Sequence, residues 1–130
     1  MSVRPSVCLL IPVLNEAAAL PTVLARIDPS WVDEILFVDG NSVDDTVGVI
    51  ERWGRGKVFR QATPGLSNAY WEAFPKIASE VILSFSPDGN SLPEAIPALV
   101  DKIVEGYDMV IASRYLPGAH SDDDDAATAF

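Results

Sequence analysis

A chain of 130 residues, 48% of them hydrophobic, is the size of one domain and has enough apolar mass for a real core. Its formal net charge of −10, with nine Lys and Arg scattered along it, argues against a general nucleic-acid surface, because phosphate backbones are held by clustered cations. A single cysteine, Cys8, excludes an internal disulfide. No stretch approaches the ~20 apolar residues that cross a bilayer, and the N-terminus lacks a signal-peptide core. A soluble, cytoplasmic protein is therefore expected, with docking onto a membrane surface left open.

Val7 to Ile11 is a continuous apolar run, ended by Pro12, of the kind that forms a strand buried on both faces; Cys8 inside it reads as a core residue. From Glu16 to Ile27 apolar residues recur at helical spacing, with Asn15 as the cap or, alternatively, a start at Pro21. Glu34 to Val38 reads as the second strand and Asp39-Gly40-Asn41-Ser42 as the loop after it. A helix over Val43 to Trp53 follows, with Asp44 and Asp45 in its first turn and Gly54 and Gly56 at its end. Lys57 to Arg60 is a short, weakly marked strand. Pro64-Gly65 then punctuates before a helical stretch from Ser67 to about Ala78, and Glu80 to Phe85 is the next strand.

After the loop Pro87 to Ser91, Pro93 suits a first helical position, and Ile96, Leu99, Val100, Ile103 and Val104 make one face. Asp108 to Ser113 reads as a fifth strand. The four aspartates within Ser121 to Asp125 read as a solvated acidic run, or as a cation site whose geometry nothing fixes. Strands alternating with helices imply an α/β fold with a mainly parallel sheet flanked by helices, and ligands at the carboxyl ends of the strands. Four polar clusters fall at those ends: Asn15-Glu16, Asp39 to Ser42, Ser86 to Asn90 and Ser113-Arg114. Polar loops are also ordinary in such folds, so their convergence alone does not establish a site.

Four strings occur in order: Ile11-Pro12-Val13-Leu14-Asn15-Glu16; Val38-Asp39-Gly40-Asn41-Ser42-Val43-Asp44-Asp45-Thr46; Ser86-Pro87-Asp88-Gly89-Asn90 with Pro93-Glu94; and Ala112-Ser113-Arg114-Tyr115. Together they resemble family 2 glycosyltransferases, and within them the dolichol-phosphate mannose and glucose synthase group. The resemblance implies a Rossmann-like GT-A nucleotide-diphospho-sugar-binding layer over residues 1–118, an acidic tail over 119–130, a nucleotide-sugar donor, Mg²⁺ or Mn²⁺, and inversion at the anomeric carbon. It also implies a donor of the GDP-mannose or UDP-glucose type, and a polyprenyl phosphate at a membrane surface as acceptor. Relatives continue well past the Ser-Arg-Tyr segment. The chain is accordingly expected to be a truncated donor-binding half, a fragmentary gene product or a stand-alone module.

Carried over by position, Pro12, Leu14 and Glu16 match the segment that lines the nucleotide, where the family commonly has an aromatic at the Leu14 position. Glu16 could equally open a helix as a dipole partner. Val38 precedes Asp39, whose carboxylate suits a base N–H or a ribose hydroxyl; the alternative is a helix cap formed with Ser42. Many relatives carry a second Asp at the Gly40 position. The family's Asp-x-Asp becomes Ser86-Pro87-Asp88 here, so the resemblance gives the metal to Asp88 and Asn90, both oxygen donors suited to a hard cation. The same string is also good turn chemistry. Arg114 matches an arginine that contacts the donor diphosphate, its alternative being a surface salt bridge; Asp88 and Arg114 are thus the expected catalytic pair. Gly65 belongs to a glycine-containing helix start. His120, the one histidine, has no partners for a zinc site or a Ser-His-Asp triad. The competing readings are a non-catalytic nucleotide-sugar-binding module and a sugar-nucleotide pyrophosphorylase-like enzyme, the latter lacking its glycine-rich basic loop.

Overall fold

The computed structural model describes residues 4–87 and 92–106. Four strands, β1 (Val7–Val13), β2 (Glu34–Asp39), β3 (Lys57–Arg60) and β4 (Val81–Ser84), form one sheet in the order β3-β2-β1-β4, and every pairing is parallel. The helices are α1 (Leu20–Ala25), α2 (Thr46–Trp53), α3 (Leu66–Ala73) and α4 (Ile96–Val104). The expected α/β architecture is therefore present over the described residues. The fifth strand expected over 108–113 and the acidic tail over 119–130 lie outside them.

The unbroken apolar run at the start of the chain has its reason in β1, the central strand. Val7, Cys8, Leu9, Leu10 and Ile11 are all fully buried, because alternate side chains feed cores on opposite faces. On one face Leu9, Ile11, Ile35 and Phe37 meet Leu20, Leu24, Ile50, Ile96 and Val100 from α1, α2 and α4. Trp53 closes α2 onto this layer, its ring edge-on to Phe37 at 6.1 Å between centroids. On the other face Cys8, Leu10, Leu36 and Val38 meet Ala69 and Ala73, small residues that let α3 lie close. Burial pushes the Cys8 thiol up to about 12, so it stays protonated and serves as packing.

Pro12 does not end the first strand, as expected from sequence, but lies within it, opposite Val38. Leu10 accepts from Phe85 on the β4 side and Val13 from Gly40 on the β2 side. Pro12, two residues after Leu10, therefore turns its nitrogen toward β4, beyond the last β1–β4 pair at Leu10 and Ser84, where no ladder hydrogen bond is forfeited. Asn15 is not a helix cap: α1 begins at Leu20 with Pro21 in its first turn, which agrees with the later of the two starts. The second helix also starts later than Val43, at Thr46, and ends as expected on Gly54, whose φ of 76° suits a left-handed cap.

The third helix stops at Ala73 instead of continuing to Ala78, because Pro75 lacks the N–H a further α turn needs. A single 3-10 turn, Phe74–Lys76, takes its place. Pro93 opens a short 3-10 turn before α4. Of the face assigned to that helix, Ile96 and Val100 are buried while Val104 is exposed.

Candidate functional site

The strand order reverses between β1 and β4, and in open α/β sheets the crevice at the carboxyl ends beside such a reversal is where ligands sit. The loops after β1 and β2 are laced together there. Asn15 and Asn41 take left-handed backbone, with φ of 52° and 68°, which asparagine tolerates better than bulkier residues. The Asn15 amide donates to Ser42 Oγ at 2.8 Å, and Val43 N donates to Asn15 Oδ1 at 2.8 Å. Glu16 N donates to Thr46 Oγ1 at 2.9 Å, and Ala17 N to Asp44 at 3.2 Å. Asp44 also accepts from the Thr46 hydroxyl and amide. These bonds, the hydroxyl's foremost, hold its carboxyl below the ordinary aspartate range. Asp44 and Asp45 thus precede the helix instead of occupying its first turn. Asp44 ties two loops together, and Asp45 pairs with Arg52 at 2.6 Å.

Asp39 ends β2 with its side chain fully buried. Ser42 N donates to its two oxygens at 3.3 and 3.2 Å, so the carboxylate shapes the loop and caps no helix. Parallel register places Arg60, the last residue of β3, opposite Asp39, and Arg60 Nε reaches Asp39 Oδ2 at 3.3 Å. Val38, one residue earlier, points into the α3-side core.

Two residues at the end of β3 join this edge unanticipated: Arg60 and Gln61. Gln61 is buried, its backbone N–H donating to Asp39 O at 2.9 Å and its backbone carbonyl accepting from Asn41 Nδ2 at 3.2 Å. The rule that selected the other polar clusters, polarity at the carboxyl end of a strand, applies to them equally. The weak apolar marking of β3, half-exposed at its edge position, hid the signal.

Leu14 is exposed, Pro12 and Glu16 are half-buried, Ser86 is exposed and Pro87 buried. The structure thus brings the segments from Leu14 to Glu16 and from Asp39 to Thr46 together with the end of β3. Asp88, Asn90 and Arg114 lie outside the described residues. Among the described residues no group of three His, Cys, Asp or Glu is placed to hold a metal ion. No helix among them is long and apolar enough to cross a membrane.

Residues 8–129 match the family model described as Glycosyl transferase family 2. The chain is 30% identical over 129 residues to the polyprenol monophosphomannose synthase of Mycolicibacterium smegmatis, covering 90% of this chain and 49% of that protein. It is 31% identical over 115 residues to an undecaprenyl-phosphate 4-deoxy-4-formamido-L-arabinose transferase of Klebsiella pneumoniae, covering 80% of this chain and 35% of the relative. It thus spans half or less of the length of these curated relatives. Among solved structures it resembles glucosyl-3-phosphoglycerate synthase of Mycobacterium tuberculosis in complex with Mn²⁺, uridine diphosphate and glucosyl-3-phosphoglycerate, with a TM-score of 0.70 and 25% identity. That match covers 78% of this chain and 40% of the other. With its parallel 3-2-1-4 sheet and laced carboxyl-edge loops, the chain belongs to the family 2 glycosyltransferases and carries their Rossmann-like GT-A layer.

Proposed function

We propose that this chain is the donor-binding half of a hexosyltransferase that moves a sugar from a nucleoside-diphosphate sugar, of the UDP-glucose or GDP-mannose type, to a polyprenyl phosphate. The observation that carries the reading is the lacing of the loops after β1 and β2 to each other, with Ser42 and the β3 end at Arg60 held on the buried carboxylate of Asp39, at the carboxyl edge of the sheet. The names of the curated relatives support the acceptor: two with different sugars share a polyprenyl carrier. The Mn²⁺ and uridine diphosphate of the solved neighbour support the donor class.

In this reading Pro12, Leu14, Glu16, Val38 and Asp39 line the nucleoside, Val38 and Asp39 through their backbone, since the Val38 side chain is committed to the core and the Asp39 side chain is fully buried. Ser86 and Pro87 begin the diphosphate loop, Asp88 and Asn90 hold Mg²⁺ or Mn²⁺, and Arg114 contacts the diphosphate. A carboxylate and an amide oxygen are hard donors that fit such a cation when the diphosphate completes the shell. When bound, the ion neutralises charge on the departing diphosphate, and Arg114 adds a planar fork that suits two phosphate oxygens. The acceptor phosphate oxygen forms its bond to the anomeric carbon as the bond to the diphosphate breaks. One displacement of this kind inverts the centre. The nucleophile is already an anion, so no general base is required. The domain occupies 1–118 with an acidic tail over 119–130, and it works on the cytoplasmic side, peripheral to the membrane that holds the acceptor.

A thermal-shift panel of UDP, GDP and their sugars, with and without Mn²⁺, tests donor binding. A metal-dependent rise for one base supports it, and no shift from any of them removes it. Sugar transfer to a polyprenyl phosphate, measured with the chain extended to the length of its relatives, tests the chemistry. Binding without transfer to any acceptor would leave a nucleotide-sugar-binding module.

A further inference from the structure

Gln61 has an unusual division of labour. The residue is only 5% exposed, and Nε2 donates to two carbonyl oxygens, Thr63 O at 2.7 Å and Gly65 O at 3.0 Å. Both partners accept only, so the amide cannot be flipped and Oε1 is fixed as the outward atom. That oxygen has no hydrogen-bond partner among the described residues. None of their fully buried side-chain oxygens or nitrogens lacks a partner, so Oε1 must reach the surface. It lies beside Gly40. A Cβ built on Gly40 would lie 3.5 Å from Gln61 Oε1, 3.5 Å from Leu14 Cδ1 and 3.5 Å from Val13 O. Those are ordinary contacts, and Gly40 is not among the glycines with positive φ. The backbone therefore does not demand glycine here. Without a Cβ, Gly40 leaves a methyl-sized gap between the exposed Leu14 and the fixed Gln61 acceptor, next to Asp39.

We propose that Gln61 Oε1 reads the base of the donor, selecting a nucleoside diphosphate whose base carries a hydrogen on its ring nitrogen, as uracil and guanine do, over cytosine and adenine. The inference rests on the donor-binding reading above and adds a specificity residue to it. Uracil N3 and guanine N1 each present an N–H to an acceptor in this slot, and Leu14 covers the ring face. Cytosine N3 and adenine N1 bring a lone pair instead. A lone pair set against a carbonyl oxygen leaves both groups unsatisfied, and that mismatch is what makes hydrogen-bonding sites selective.

Calorimetric binding of UDP against CDP and of GDP against ADP, each with Mn²⁺, tests it on the whole chain. The wild type should prefer the N–H member of at least one pair by about tenfold or more, the worth of one hydrogen bond made against one left unsatisfied. Gln61→Met removes the acceptor at similar volume and should bring that ratio close to one. If Gln61→Met fails to fold in a thermal melt, Gly40→Ala decides, because its methyl fits the backbone, covers Oε1 and must lower the ratio. A preference that persists in either folded variant overturns the inference while leaving donor binding intact. Equal weakening of all four nucleotides by Gln61→Met also overturns it, pointing to a ribose contact. If the wild type binds none of the four, with or without metal, the donor reading fails and takes this inference with it.

Discussion

The two edges of the same sheet use similar residues for opposite ends. At the amino edge the carboxylates close onto backbone donors. Asp33 accepts from Val7 N at 2.7 Å and from Arg4 at 2.8 Å, and Glu34 Oε1 accepts from Ala78 N, Ser79 N and the Ser79 hydroxyl at 3.0, 2.8 and 2.6 Å. Ser6 and Glu80 exchange two further bonds. The Val7 amide foremost holds Asp33, and the Ser79 hydroxyl foremost holds Glu34, below the usual carboxylate range. At the carboxyl edge, loops are tied to one another, while Leu14 is exposed and Gln61 Oε1 has no hydrogen-bond partner among the described residues. One edge spends its polar groups on closure; the other spends some on rigidity and keeps the rest available. Polarity alone does not distinguish these uses. Leftover hydrogen-bonding capacity does.

Two glycines give the largest expected contrast. Gly56, at the amino edge, has φ of 74°, and a Cβ there would stand 2.8 Å from Ile35 O and 2.9 Å from Ile35 Cβ. Gly56→Ala should cost about 2–3 kcal/mol from left-handed strain and the clash. Gly40→Ala should stay within about 0.5 kcal/mol of wild type, since its contacts are ordinary. Urea unfolding of both measures the difference, and equal losses would break the contrast.

Asp39→Ala comes next. It strips the acceptor from Ser42 N and from Arg60 at a fully buried site, for an expected loss of about 1–3 kcal/mol. Nucleotide binding should fall with it, as read by calorimetry at a temperature where the variant is folded. A stability loss with unchanged affinity would make Asp39 as purely structural as Asp33.

The smallest effect belongs to Glu34→Gln, which should cost about 1 kcal/mol of stability and leave nucleotide affinity untouched. Glu34 is depressed in the folded state, so its contribution is fully present above the ordinary glutamate value of about 4.3. It is lost as pH falls through the lower folded value. The gap in Tm between wild type and Glu34→Gln should therefore be constant from neutral pH to about 5 and close below about 4. A gap that widened on acidification would contradict the assignment.

Much of the fold was legible from the chain. The unbroken Val7 to Ile11 run is satisfied by a strand buried on both faces, and the expected third strand coincides with β3, Lys57–Arg60. Helix boundaries were less legible. Asn15 has cap chemistry, but the same oxygen was claimed by Val43 N on another loop, a competition that local sequence does not encode. Pro75 is a sufficient local reason to stop α3, although the helical spacing runs on to Ala78. The gathering of Asn15-Glu16 with Asp39 to Ser42 is legible because strand ends in a parallel sheet meet by topology, whereas Leu14 comes only from the family resemblance. Arg60 and Gln61 escaped because their importance comes from register and burial.

By itself the sequence determined the class of fold, the central strand and the edge at which polar loops would meet, since hydrophobic periodicity and turn chemistry are local properties. Only the tertiary structure decided which polar atoms were consumed and which were spare. That distinction is a matter of pairing between segments far apart in the chain: Gln61 Nε2 bonds the turn that leads into α3, while Oε1, beside Gly40 on β2's loop, has no hydrogen-bond partner among the described residues.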